Sequence, residues 1–260
     1  MSKRTWFVGA MVLALSFVGA CGPSEKETRA EEENQEFLVL EEEHAALTVI
    51  RDELNAIREE IAAGVEGDET TGLSPEEALL QLEQSAADKE TEVNSAADIF
   101  STNVVEFINK YAGYEGDEQS DLQRAAIRLK SGEDIELARE YVVKGGDYKR
   151  AINILVATIL VDPENEPLRQ ERDRLEKLRW MDEERFSKLE NGMTQPEVRA
   201  LLGQVFHLNR KEYKEVNATA WFYPRTEGAA AAVFFREVRG EERVYEKDFN
   251  AVKPASERVK

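Results

Sequence analysis

The stretch FSKLENGMTQPEVRALLG, residues 186–203, decides the fold class, because at this point a run of helices gives way to helices followed by strands. Phe186 to Leu189 close a short helix. Thr194 is an N-cap residue by type, and Glu197 answers it three residues later in the pattern of a capping box. Val198, Leu201 and Leu202 share the inward face of the new helix, and Gly203 ends it. Three apolar runs come next: Ala220-Trp221-Phe222-Tyr223, Ala231-Ala232-Val233-Phe234-Phe235 and Val244-Tyr245. Pro224, Gly228 and Gly240 separate them, which predicts a strand meander. A charged segment from Asn209 to Glu215 leads into these strands, and His207 is expected in a strand beside Phe206 and Leu208. The aromatic group Trp221, Phe222, Tyr223 and Phe235 has two readings, sheet core or a face on which a partner docks. On the second reading the partner-binding residues are Phe206, Leu208, Trp221, Tyr223 and Phe235.

Upstream of this module the periodicity is helical throughout. Leu47, Ile50, Leu54, Ile57 and Ile61 recur at steps of three and four, an apolar stripe that wants a second helix against it. Gly64, Gly67 and Gly72 stop that helix, and Ser74-Pro75-Glu76-Glu77 starts another with an N-cap serine, a proline at the first helical position and a glutamate at the third. Its stripe runs through Leu79, Leu82, Ala86, Val93, Ala97, Phe100, Val104, Phe107 and Tyr111 to Gly113. Residues 37–113 should therefore form an antiparallel hairpin. His44 has no second histidine near it in sequence and is expected as a surface side chain. Residues 117–181 carry shorter periodic segments, one around Leu122 to Leu129 and another from Ile135 to Val143, then Gly145-Gly146-Asp147-Tyr148 and a helix through Ala151 and Leu155 to Asp162-Pro163.

Two family resemblances overlie this reading. The segment GDYKRAINILVATILVDPEN, residues 146–165, resembles the second half of a tetratricopeptide repeat, and with residues from Glu133 it makes one such unit. A single repeat cannot bury its faces alone, so the helices before it and the charged helix from Glu166 to Met181 must supply the packing, and the resemblance implies a partner-binding role. The order of two helices and then strands, with Gly192-Met193-Thr194, Val198, Leu202-Gly203, Trp221 and Tyr223, resembles the SmpA/OmlA (BamE-like) family over residues 182–250. That resemblance implies a small domain of two helices and three strands, and a role in outer-membrane β-barrel assembly.

The chain has 260 residues, with 53 Asp and Glu against 34 Lys and Arg, a net charge of −19. So acidic a surface repels phosphate polymers and bare anionic lipid, which argues against nucleic-acid partners. One cysteine and two histidines exclude an intramolecular disulfide and a cysteine-rich zinc site. Lys3 and Arg4 precede an apolar run from Trp6 to Ala20 that is too short to span a bilayer and reads as an export signal, residues 1–20. Val18-Gly19-Ala20-Cys21 resembles the lipobox of bacterial lipoproteins, which implies that Cys21 is acylated and becomes the mature N-terminus. Gly22 in place of Asp favours outer-membrane sorting by the enterobacterial rule. Residues 21–36, with Glu31-Glu32-Glu33, should be a solvated acidic tether reaching about 50 Å when extended. Residues 251–260 form a tail.

No serine nucleophile elbow, histidine-rich metal spacing or phosphate-cradling glycine loop stands out, so no catalytic residue, cofactor or metal ligand is assigned. The expectation is an α+β protein, mostly helical, made of a long hairpin, a tetratricopeptide-like region and a small two-helix, three-strand module. Its expected role is that of a non-enzymatic lipoprotein of the outer membrane, facing the periplasm. There it would act as a scaffold for β-barrel assembly or envelope integrity. The alternative is an adaptor that recruits peptidoglycan-related or secretion components.

Overall fold

A computed structural model describes residues 24–64, 73–112, 119–254 and 256. The export signal, Cys21, Gly67, Gly72 and Gly113 lie outside the described residues. Seven α-helices and one four-stranded antiparallel sheet make up the described chain, an α+β protein that is predominantly helical.

Helix α1, Glu25–Ala63, starts at a complete capping box: the Ser24 hydroxyl accepts from the Glu27 amide, and the Glu27 carboxylate accepts from the Ser24 amide. The acidic stretch read as a solvated tether is therefore helix from Glu25 onward. Two effects outweigh like-charge repulsion there. Glu25 and Glu27 sit in the first turn, where the helix dipole favours negative charge, and Phe37 and Leu40 begin the buried stripe that continues through Leu47 and Leu54. Helix α2, Pro75–Tyr111, has the predicted Ser74–Glu77 capping box and buries Val93, Phe100, Val104, Phe107 and Tyr111. Cross-links fix the antiparallel register, since Glu36 meets Lys110, Glu43 meets Asn103, and Glu53 meets Lys89.

Helix α3, Asp121–Gly145, is one helix where the sequence suggested two. Gly132 interrupts its pattern at a cost of about 1 kcal/mol relative to Ala. Its neighbours hold the helix through that point. The buried Ser131 hydroxyl donates to Asp162 at 2.9 Å, and the Glu133 carboxylate is bound to Arg51 of α1. Glu33 meets Ser120, Arg51 meets Glu133 and Lys144 meets Glu90, so α3 runs parallel to α1 and completes a three-helix bundle.

At Gly146, in the left-handed conformation with φ 65°, the chain reverses. The Gly146 and Asp147 amides donate to the carbonyls of Val142 and Tyr141. Asp147 then caps α4, Tyr148–Val161, and α5, Glu166–Arg179, returns alongside it. Ala138 and Ala151, both fully buried, give α3 and α4 their close approach, and Leu168 and Leu175 of α5 close the same core.

Helices α6, Glu183–Ser187, and α7, Gln195–Leu202, pack on one face of the sheet. The sheet order is β1 (Arg210–Tyr213), β2 (Ala218–Pro224), β3 (Ala230–Val238) and β4 (Glu241–Val252). There are thus four strands and not three. Strand β1 was hidden in the charged segment 209–215, because a short edge strand with exposed side chains shows no alternating apolar pattern. His207–Asn209 is a 3-10 turn and not the strand expected around Phe206 and Leu208. The Gly-Met-Thr motif pairs with the outer edge of β4: the Gly192 amide donates to the Val244 carbonyl at 2.7 Å, and the Val244 amide to the Met193 carbonyl at 2.8 Å.

The helical part and this module meet at two glycines. A Cβ on Gly146 would lie 2.5 Å from the Val205 carbonyl group, and one on Gly203 (φ 89°) would lie 2.6 Å from the Tyr148 hydroxyl. The Gln204 side-chain amide donates to the Val143 carbonyl, and the Met181 amide to the Pro224 carbonyl, across the same joint. No helix among the described residues is long and apolar enough to cross a membrane.

Candidate functional site: a groove along helix α3

The aromatic residues singled out in the sequence separate into two sets. Trp221, Tyr223 and Phe235 are core: all three are almost fully buried, and the rings of Trp221 and Phe235 lie 4.6 Å apart. They form no docking face. The Tyr223 hydroxyl donates to the Gly203 carbonyl at 3.3 Å, and burial pushes its pKa far up, as burial also does for Tyr148. Phe206 is half-buried against His207, with ring centroids 4.6 Å apart, while Leu208 is 73% exposed on the 3-10 turn. Of the five, only Leu208 and part of Phe206 are available to a partner.

A concave surface lies elsewhere. Three adjoining cavities follow one another along α3, with α3 as their common floor. The first, about 320 Å³, is walled by Val105 and Ile108 of α2 and by Ala157 and Val161 of α4, with Ile127 beneath. The second, about 390 Å³, shares Lys130 and Asp134 with it and extends between α1, α2 and α3 to Lys144. The third, about 500 Å³, shares Leu137, Glu140 and Lys144 with the second and ends against Arg150 and His207. From Ile127 to Gly145 the floor is about 27 Å long at 1.5 Å per residue.

The open surface of the first cavity is mostly apolar and includes the exposed Val105 and Val161; on the same helix α4, Val156 and Leu160 are also exposed, Leu160 to 82%. Helix α4 explains this patch. Ile152, Leu155 and Thr158 face inward, yet Val156, Leu160 and Val161 point outward, so the helix is apolar on nearly every side. A helix of that kind is normally buried all round. The signal was present in the sequence and was absorbed there into the repeat resemblance.

The middle of the groove is ionic. Glu133 is buried and receives two hydrogen bonds from the Arg51 guanidinium, at 3.2 and 2.7 Å, with His44 Nε2 3.3 Å away. His44 is therefore not the free surface histidine expected from the sequence; it also packs on Phe100, with centroids 5.3 Å apart. Burial alone would lower the Arg51 pKa, but the bonds and charge of Glu133 raise it. Lys144 follows the same logic. Burial opposes its charge, and Glu90 and Glu140 restore it, so its pKa rises. The Lys144 hydrogen bond leads in pulling the pKa of Glu90 down, and Arg58 adds to it. Pairing offsets the cost of burying these charges, and removing either partner would leave the other uncompensated.

Among the described residues no group of three His, Cys, Asp or Glu is placed to hold a metal ion. The groove offers aliphatic contact at one end, paired charges along its middle and, at the other end, Arg150 beside Asp147, with the guanidinium 4.3 Å from the Tyr141 ring. In comparison with known proteins, no family model matches this chain, and no curated protein or solved structure matches it.

Proposed function

We propose that the protein is a non-enzymatic scaffold lipoprotein on the periplasmic side of the outer membrane, and that it holds a segment of a partner protein in the groove along α3 during β-barrel assembly. The observation that carries the binding role is the aliphatic cleft of Val105, Ile108, Ala157 and Val161, left open beside the exposed Leu160. An apolar patch of this kind, rimmed by polar residues, marks an interaction surface. The location rests on the leader and on Cys21. Several acyl chains there would give stable anchoring.

The stalk supports this division of labour. Helix α1 begins four residues after Cys21, and contacts join it to α2 and α3 along its length. From Glu25 to Arg58, level with the end of α3, is about 50 Å of helix. An anchor at Cys21 would hold the C-terminal module that far from the lipid on a stiff support and not on a flexible tether. The second reading, an adaptor for peptidoglycan-related or secretion components, is favoured by the α3–α4–α5 packing through Ala138 and Ala151.

The test is capture of the tagged protein from detergent-solubilised outer membrane, beside a variant carrying Val105→Asp and Leu160→Asp. Both residues are exposed, so the variant should fold. Recovery of barrel-assembly subunits by the unmodified protein, and their loss in the variant, is the expected outcome. Recovery of peptidoglycan enzymes or secretion components selects the adaptor, and recovery unchanged by the two substitutions removes the groove from the function.

A further inference from the structure

We infer that Arg199 and Arg210 form a carboxylate-binding clamp, mounted on the buried Trp221, that takes a single carboxylate of a partner protein. Arg199 stands in the last turn of α7. Arg210 opens β1 and is the cross-strand neighbour of Trp221. Each guanidinium carbon lies 5.4 Å from the Trp221 ring, so the two are at most twice that distance apart. Arg210 is exposed and Arg199 is half-buried, which leaves their donors open to solvent from one side. Among the described residues neither makes an ion pair or a side-chain hydrogen bond. By contrast Arg185, Arg243 and Lys188 of the same module are matched by Asp182, Glu241 and Glu184.

Two like charges held side by side repel, and that cost persists only where something else fixes them or where an anion arrives between them. Here the indole supplies the fixing. A guanidinium stacked on a ring keeps its donor fork pre-organised, so less entropy is lost when an oxyanion binds. Burial first, and then the neighbouring Arg210 charge, lower the Arg199 pKa against an opposing pull from Tyr223. A planar carboxylate bridging both forks would relieve the repulsion and gain charge-assisted hydrogen bonds from each.

The ligand is narrowed by charge and by place. With a net charge of −19 the protein repels polyanions, which disfavours nucleic acid and phosphate-rich polymers. Headgroups of the leaflet that holds Cys21 lie about 50 Å down the α1 stalk, an argument that rests on the lipoprotein reading above. What remains is an isolated carboxylate, on a side chain or chain end, presented by a protein whose surrounding surface is not acidic.

The test reads the Nε–Hε signals of the arginines by NMR in the purified full chain, titrated with acetyl-trialanine as the free acid, with its C-terminal amide, with inorganic phosphate, and with phosphatidylglycerol vesicles. Saturable shifts of Arg199 and Arg210 with the free acid, and affinity at least tenfold weaker for the amide, are the expected result. Arg243, already paired, should not move. Arg210→Gln should abolish the shift of Arg199, and Arg210→Lys, which keeps the charge and loses the fork, should weaken binding several-fold. Equal response to acid and amide, tighter binding of phosphate or vesicles, or no saturable shift in the unmodified chain would each overturn the clamp. The titration is read without a membrane, so its failure is distinct from failure of the anchor or of the groove.

Discussion

At the scale of single residues, the joint between the two parts of the molecule depends on positions that tolerate no side chain. Gly146→Ala places a methyl group 2.5 Å from the Val205 carbonyl, in a backbone conformation that already disfavours any L side chain. The expected loss is more than about 2 kcal/mol, read by urea unfolding. Gly240→Ala is the control, because it shares the positive φ but meets nothing within 4 Å, and it should cost only the conformational term of about 1 kcal/mol. Glu133 is the second such residue. Its truncation leaves the Arg51 guanidinium, which is 19% exposed, without its carboxylate. Removing one partner of a buried pair costs about 3 kcal/mol or more, so Glu133→Ala should be among the most destabilising substitutions in the bundle, whereas Lys188→Ala in an exposed pair should change little. His44 and Arg51 stand two turns apart on one face of α1, but Glu133 comes from α3, and no spacing rule in the sequence brings it to them.

At the scale of elements, the C-terminal sheet shows how a recognisable motif can have a structural use. The Gly-Met-Thr turn caps α7 through Thr194 and Glu197, and it also covers the outer edge of β4 at Val244. The Arg243 guanidinium donates to the Gly192 carbonyl, and Lys247 to the Leu189 carbonyl, which extends that cover. An edge blocked in this way is protected from strand addition, so the open edge of the sheet is β1. Trp221, 1% exposed at the centre of β2, is core. Trp221→Ala should cost about 3–5 kcal/mol and lower the melting temperature of the module, so its loss of function would say nothing about docking. The residues to test for docking are those on the outer side of α4.

At the scale of the whole molecule, α3 is shared by the bundle with α1 and α2 and by the hairpins with α4 and α5, and the sheet module joins at the far end of α3 through Gly146 and Gly203. If Cys21 carries the anchor, Cys21→Ser should move the protein from the membrane pellet to the soluble fraction on cell fractionation, with its melting temperature unchanged, because α1 begins only at Glu25. Stability should also depend on acid. The hydrogen bonds of Arg174 lead in lowering the Glu171 pKa below its ordinary 4.5, burial opposes them and Arg139 reinforces them; Lys144 does the same for Glu90, and Arg185 for Asp182. A carboxylate whose pKa is depressed by folding stabilises the fold fully above its unfolded value, and that share is lost as pH falls through the folded one. Unfolding free energy should therefore decline below about pH 4.5, and Glu171→Gln should be less stable at pH 7 with a shallower decline in acid, measured by urea titration across that range.

The sequence by itself determined what is local and periodic. Ser74 with Glu77 and Thr194 with Glu197 start helices, the stripe from Val93 to Tyr111 demands a partner helix, and the short continuous apolar runs of β2 and β3, bounded by turn residues, read as buried strands. Local chemistry is sufficient for these because each is decided within one or two turns of chain. Tertiary structure decided whatever depends on a neighbour distant in sequence. It drew the acidic residues after Ser24 into α1, carried α3 through Gly132, made an edge strand of Arg210–Tyr213, and turned Trp221 inward while leaving Leu160 in solvent. Whether an apolar or charged side chain is core, rim or site is fixed by what packs against it, and hydropathy along a chain carries no record of that.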